Sequence, residues 1–146
     1  MDYLLIERAD GGVSVITLRG LDSAKELDLW VSTAKQEWLP VASSQVVEDP
    51  VFPDEHFREA WVKNGAEIDV PLARAKAFTK ARIRWERAPV LSHLDGVYQR
   101  AQDQGDTVKA AAVRTERQRL RDLPAEVDNK TTLAELKAMK AETSIT

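Results

Sequence analysis

The chain has 146 residues, enough for one compact domain or two small units, and 43% of them are hydrophobic, which is sufficient for a core. It contains no cysteine, which excludes disulfides, thiolate nucleophiles and metal sites built on sulfur. Because the first residues lack the basic and apolar regions of a signal peptide, we expect no signal peptide. No apolar run approaches the length of a membrane span, so we expect no membrane-spanning segment.

The net charge of −3 conceals two oppositely charged parts. Residues 1–70 contain 6 Lys/Arg and 14 Asp/Glu, whereas residues 71–122 contain 12 Lys/Arg and 6 Asp/Glu. An acidic part joined to a basic part favours either internal neutralisation or head-to-tail contact between copies.

Residues 1–49 predict a small α+β unit. Apolar residues in 3–6 and 13–18 predict two strands, joined by a turn at Gly11 and Gly12, because glycine tolerates the positive φ that such turns need. These two strands are therefore expected to form a hairpin.

A short helix and a third strand complete this unit. Leu27 and Trp30 begin an i, i+3, i+4, i+7 pattern behind a helix cap at Asp22 or Ser23, and residues 41–47 predict the third strand. Three strands with one helix across them are the smallest arrangement that buries a face here.

Residues 50–70 are interpreted as a connector with a short helix. Phe57 and Trp61 are spaced i, i+4, so they lie on one helix face, and Asn64-Gly65 is expected to end that helix. The two aromatic side chains are expected to join the sheet unit to the helical part of the chain.

Residues 71–123 predict an α-helical hairpin. The first helix extends from about residue 71 to 104, and Gly105-Asp106 ends it and caps the second helix, which Pro124 closes. Residues 124–146 form a C-terminal tail, with a short helix that begins behind Thr131 or Thr132. The predicted fold is α+β: a small three-strand sheet with one helix, a long kinked helix in a helical hairpin, and a short C-terminal helix.

A helical wheel divides the long helix into three faces. One face is basic and is expected to be solvated: Lys76, Lys80, Arg84 and Arg87. A strip of small residues lies beside it, where a neighbouring backbone could approach closely: Ala73, Ala77, Ala81 and Ala88. The opposite side is the expected buried face: Leu72, Ala75, Phe78, Trp85 and Pro89.

Two residues of this helix have particular consequences. Arg82 falls within the expected buried face, where an arginine needs a partner, either Glu86 one turn further on or an acid of another chain. Pro89 removes a backbone hydrogen bond and therefore predicts a kink.

Beyond the kink, an apolar seam continues at helical spacing, with Leu91 and Tyr98 beside it: Val90, Leu94, Val97 and Ala101. The second helix has fewer matching positions, and Arg117 interrupts them: Ala110, Val113 and Leu120. We therefore expect surplus apolar surface that packs against another subunit.

The sequence contains no pattern of catalytic residues. His56 and His93 are far apart and lack metal-ligand spacing, and no glycine-rich loop follows a strand, so we expect no enzyme, no cofactor and no metal. Trp30 and Trp38 are assigned to the core. The residues expected to carry protein contacts are Phe57, Trp61, Arg82, Trp85, Leu91, Leu94 and Tyr98.

Nucleic-acid binding is the main alternative. A basic helix face interspersed with Trp85 and Tyr98 could contact phosphates and stack on bases. The acidic balance of the whole chain argues against it. Membrane-surface binding is disfavoured because the basic helix is rich in alanine rather than strongly amphipathic.

Short motifs follow one another in a fixed order along most of the chain. They are Phe57-Arg58-Glu59-Ala60-Trp61, the Asn64-Gly65 turn, Pro71-x-Ala73-Arg74, Arg82-x-Arg84, Arg87-Ala88-Pro89-x-Leu91, Tyr98-x-Arg100-Ala101, Gly105-Asp106, Leu120-Arg121-Asp122 and Thr132-Leu133-x-Glu135-Leu136. In this order and spacing they resemble a group of small proteins encoded among the tail genes of tailed bacteriophages and prophages. The chain departs from the group's pattern at Gly96 and at Leu123-Pro124.

This resemblance implies a non-enzymatic virion protein of the phage tail, made in the host cytoplasm. Its partners would be other tail proteins, a tail fibre or a spike, and the chain would form a homo-oligomer or part of a symmetric assembly. The resemblance equally allows a cytoplasmic chaperone for tail-fibre assembly, which binds its client and then leaves.

Overall fold

The computed structural model describes residues 1–18 and 41–146. The chain divides into two compact units, Met1–Arg74 and Ala75–Thr146. The architecture is α+β, as the sequence predicts, with a small three-stranded antiparallel sheet followed by a long helix, a second helix and a short C-terminal helix. The predicted helix around Leu27 and Trp30, together with Trp38, lies outside the described residues.

The first unit is built on a sheet of order β2-β1-β3, in which both pairings are antiparallel. The central strand β1 (Asp2–Arg8) lies between β2 (Val13–Thr17) and β3 (Val41–Glu48). Successive side chains of a strand point to opposite faces, yet Leu4, Leu5 and Ile6 are all buried. Both faces of the central strand are therefore covered.

The predicted hairpin between β1 and β2 is confirmed. The Asp10 carboxylate accepts a hydrogen bond from the Gly12 N–H at 2.8 Å, and Gly11 has a φ of 82°. An Asx turn followed by a left-handed glycine is the local chemistry that this loop requires. Because the Asp10 carboxylate accepts this bond and lies near Arg8, its pKa is held below the ordinary value.

The connector contains a second hairpin that the sequence did not lead us to expect. A 3-10 helix, Glu55–Ala60, is followed by β4 (Val62–Asn64), which pairs with β5 (Glu67–Asp69). The expectation that Asn64-Gly65 ends a helix was wrong, because Gly65 begins the two-residue loop of this hairpin with a φ of 61°. Such a glycine is typical of tight hairpin loops as well as of helix ends.

The second unit contains the hairpin of α1 (Leu72–Asp103, which begins three residues before the unit) and α2 (Thr107–Glu126). Gly105 has a φ of 70°, and the Asp106 side chain accepts a hydrogen bond from the Lys109 N–H, which confirms the predicted helix end and cap. Helix α1 continues through Pro89, and the kink there remains a prediction.

Helix α2 does not end at Pro124, contrary to expectation. Proline removes the bond to the carbonyl four residues earlier, which is that of Leu120. The guanidinium of Arg87 donates to this carbonyl at 3.2 Å and to the carbonyl of Arg121 at 2.9 Å. Because another donor satisfies the freed carbonyl, the helix continues to Glu126, and a 3-10 turn, Val127–Asn129, comes directly after it.

The short helix α3 (Leu133–Ala138) begins behind Thr132, as the sequence predicts. The Thr132 hydroxyl accepts a hydrogen bond from the Glu135 N–H, and the Glu135 carboxylate accepts from the hydroxyl in return. Residues 139–146, which we call the C-terminal segment, have no regular secondary structure.

The buried face of α1 differs from the expected one. The buried residues are Ala75, Thr79, Ile83, Leu94, Val97 and Ala101. Of the expected set, Leu72, Trp85 and Pro89 are exposed. Small and medium residues form the buried face, and the Thr79 hydroxyl is satisfied by the Ala75 carbonyl at 2.7 Å.

The seam exposes less apolar surface than expected, although Val90 is only half-buried, and its packing against another subunit stays a prediction. Leu94, Val97 and Ala101 are almost completely buried within the single chain. The facing residues of α2 and three residues that follow α2 are almost completely buried as well: Ala110, Val113, Leu120, Val127, Leu136 and Ala141. The wheel compared the two long helices alone and did not include the residues after α2.

We expect Ile83→Ala to lower the free energy of unfolding by about 2–4 kcal/mol, because it leaves a cavity at a fully buried position. Trp85→Ala is the control on the same helix and should change stability by less than about 0.5 kcal/mol, since the indole is exposed. Urea unfolding followed by circular dichroism measures both. Similar losses for the two variants would contradict this orientation of α1.

Candidate interaction surface

The predicted basic stripe is not a solvated face, because three of its four cations bind within the second unit. The Lys80 ammonium lies 2.7 Å from the Asp128 carboxylate, and the Lys76 ammonium donates to the Asp128 carbonyl at 3.1 Å. The pKa of Asp128 is lowered, chiefly by the hydrogen bond from Lys80. Arg87 binds the end of α2, where a cation is also favoured by the helix dipole. Arg84 is the exposed member of the stripe.

Arg82 has the intrahelical partner that the sequence suggested and two further acceptors. Its guanidinium lies 2.9 Å from the Glu86 carboxylate, and it donates to the carbonyls of Leu136 at 3.1 Å and Met139 at 2.7 Å. The other Glu86 oxygen accepts the Ala141 N–H at 3.3 Å. With its side chain only 14% exposed, Arg82 joins α1 to the C-terminal region of its own chain.

The α2 side of the hairpin also binds the C-terminal segment. The Arg119 guanidinium donates to the Glu142 carbonyl at 2.8 Å and pairs with Glu116 at 2.6 Å. The pKa of Glu116 is lowered, first by the hydrogen bond from Arg119 and then by one from Thr143. Arg119 and Glu116 were not among the predicted site residues, because an i, i+3 ion pair on a helix is ordinarily a solvated feature.

Tyr98 contacts other side chains of the hairpin. The Arg117 guanidinium lies over its ring at 4.4 Å and pairs with Asp95 at 2.8 Å, and the Gln102 amide donates to its hydroxyl at 2.7 Å. Arg117, which we expected to interrupt the seam, thus lies on an aromatic face. Leu91, also a predicted contact residue, is half-buried.

Three other predicted contact residues lie in cores rather than on the surface. Phe57 and Trp61 are buried in the first unit, where Trp61 packs with Leu5, Val13 and Ile68. Leu94 is fully buried in the second unit. None of these side chains is accessible as an anchor for a partner.

Among the aromatic residues predicted to carry protein contacts, Trp85 is the exposed one. Its side chain is 78% exposed on α1, about 200° around the helix from Ile83. On the wheel it lies among exposed residues that are small or basic, with the half-buried Phe78 and Arg82 also close to it. We call this surface the Trp85 face: Ala81, Arg84, Trp85, Ala88, Pro89 and Ser92.

The described residues offer no cluster of three His, Cys, Asp or Glu side chains that could hold a metal ion. Within the same residues, no helix is both long enough and apolar enough to cross a membrane. No family model, curated protein or solved structure matches the chain. The Trp85 face itself presents an aromatic ring, small neighbours and one guanidinium.

Arg82→Met should lower the free energy of unfolding by about 2–4 kcal/mol, because it leaves the half-buried Glu86 carboxylate and two carbonyls without their donor. Arg84→Met is the matched control, two positions along the same helix and exposed, and should cost less than about 0.5 kcal/mol. Chemical denaturation measures both. The same loss for both variants would show that the contacts of Arg82 do not stabilise the fold.

The lowered pKa of Glu116 predicts a stability that depends on pH. A carboxyl group whose pKa is lower in the folded state stabilises fully above its unfolded pKa and loses that contribution as the pH falls through the folded pKa. The difference in unfolding free energy between the wild type and Glu116→Gln should therefore shrink below about pH 4.5. A difference that stays constant between neutral and acidic pH would contradict the ion pair with Arg119.

Proposed function

We propose that this chain is a non-enzymatic structural component of a tailed-phage virion, a tail or fibre-attachment protein that functions through protein–protein contacts. The observation that carries the contact function is the exposed indole of Trp85 on a long regular helix. The phage assignment rests on the resemblance in motif order and spacing. On this proposal the protein is made in the host cytoplasm and resides in the particle.

The Trp85 face has the properties of a contact site. Tryptophan is enriched among the residues that dominate binding energy, since it buries a large area and loses little conformational entropy. Ala81 and Ala88 leave room on both sides of the ring for a partner's backbone or side chains. A regular helix fixes the backbone at Trp85 before binding, so that only side chains have to be ordered on association.

The charge around Trp85 favours an acidic partner. Between residues 70 and 94 the only carboxylate is that of Glu86, and it binds Arg82 and the Ala141 N–H. The exposed face therefore presents the cation of Arg84 without an acid beside it. A partner that places an apolar pocket on Trp85 and a carboxylate near Arg84 would fit this arrangement.

The same contacts favour protein over nucleic acid as the partner. A nucleic-acid interface would require several cations directed towards solvent along one stripe. Lys76, Lys80 and Arg87 instead bind acceptors within the second unit. Binding to DNA or RNA that weakened steeply with salt would support this alternative function instead.

Quantitative mass spectrometry of purified particles tests the proposal. We expect the protein in a fixed ratio to the other tail proteins, and we expect Trp85→Ala to reduce its incorporation several-fold more than Arg84→Ala. Both variants should keep wild-type circular dichroism, because both positions are exposed. Absence from particles, with abundance in the lysate, would identify an assembly chaperone. Normal incorporation of Trp85→Ala would show that the contact lies elsewhere.

A further inference from the structure

The strand β3 forms one edge of the three-stranded sheet. It pairs in regular register with β1 from Ser43 to Glu48, and no strand within residues 1–18 and 41–146 pairs with its other side. An edge of this kind presents main-chain donors and acceptors to which another strand can bind.

Two hydrogen bonds of β1 identify the residues of β3 whose main-chain groups point outward. The Asp49 N–H donates to the Met1 carbonyl at 3.0 Å, whereas the Asp2 carbonyl accepts from β2's side of the sheet. Because hydrogen-bonded and non-hydrogen-bonded pairs alternate in an antiparallel ladder, the even-numbered residues of the regular part of β3 direct their N–H and C=O groups away from β1. Ser44 and Val46 are two such residues, and both are exposed.

The opposite edge of the sheet differs in its chemistry. There the Arg8 guanidinium donates to the Val13 carbonyl of β2 at 3.2 Å and to the Ser14 hydroxyl at 2.9 Å. Charged side chains and prolines on an edge strand discourage the addition of a further strand. Residues 41–47 of β3 include neither a charged residue nor a proline.

The order of side chains along β3 matches its own reverse. Polar Ser43 and Gln45 lie on the two sides of Ser44, and apolar Ala42 and Val46 lie beyond them. In an antiparallel pair of two β3 strands centred on Ser44, polar residues oppose polar ones and apolar residues oppose apolar ones. A register in which Ser44 opposes Val46 would lose this match.

We propose that two copies of this chain pair through the outer edges of β3, antiparallel and centred on Ser44, so that their two sheets become one. The contact is isologous, because the same strand serves on both sides of the two-fold axis. It also places the two Glu48 carboxylates at opposite ends of the paired strands, where they do not oppose each other. The pairing does not depend on the proposed virion role, and β3 and Trp85 belong to different units.

The absence of cysteine allows a test with single-cysteine variants of the full chain. Ser44→Cys places two thiols side by side at the centre of the pair. Glu48→Cys is the matched control, exposed on the same strand, and places its two thiols about 27 Å apart. A short bis-maleimide should therefore link Ser44→Cys chains roughly ten times more than Glu48→Cys chains. Equal yields for the two variants would overturn the pairing.

Sedimentation of the full chain is the second measurement. The wild type should be a dimer that dissociates on dilution, and Val46→Lys should raise the dissociation constant at least roughly tenfold, because it places a cation on each paired edge. Val108→Lys, at a position 81% exposed on α2, is the control and should sediment like the wild type. Circular dichroism should be the same for all three chains.

A wild type that stays monomeric at every concentration would overturn the proposal, as would a dimer that Val46→Lys leaves intact. The second result would place the contact on another surface. Neither experiment uses phage particles, so failure of the strand pairing is distinct from failure of the proposed function.

Discussion

Backbone carbonyls that lack N–H partners determine how the second unit holds together. Helix ends, the position four residues before Pro124 and an irregular C-terminal segment all leave carbonyls that need donors. Arginine and lysine side chains of the hairpin supply them, as Arg87 does at Leu120, Arg82 at Met139 and Arg119 at Glu142. Five of the twelve cations of residues 71–122 donate to backbone carbonyls: Arg74, Lys76, Arg82, Arg87 and Arg119.

This constraint explains why α1 has a narrow buried face. Ile83 and Leu94 lie at its centre, with Lys80 and Arg87 on one flank and Arg82 and Glu86 on the other. Long charged side chains cover apolar surface with their methylene stems while their charged ends reach the carbonyls. The side of the helix opposite this face is left with small residues and with Trp85.

The sequence predicted the elements well where the signals were local. Turn glycines, helix caps at Asp106 and Thr132, and the length of α1 follow from the chemistry of a few adjacent residues. Asn64-Gly65 was misinterpreted because the same dipeptide suits a helix end and a hairpin loop.

Orientation could be predicted only in part. The wheel assigned Trp85 to the buried face because the indole is large and apolar. The fold instead buries Ile83 and Thr79 and leaves the indole in solvent. The binding partner of each cation could not be predicted either, because the carbonyls that bind Arg82 and Arg87 are 33 to 57 residues away along the chain. The intrahelical pair of Arg82 and Glu86 was predictable because i, i+4 spacing alone brings the two together.

Recognition through the backbone also bears on how this chain can change during evolution. Since Arg82 and Arg119 bind carbonyls, which every residue carries, substitutions at Lys140, Glu142 or Ser144 leave those contacts intact. Lysine could not replace Arg82, because one ammonium does not reproduce the fixed fork that reaches Glu86 and two carbonyls together. We therefore expect the exposed residues of the C-terminal segment to vary among divergent copies of this gene, while Arg82 and Arg119 stay unchanged.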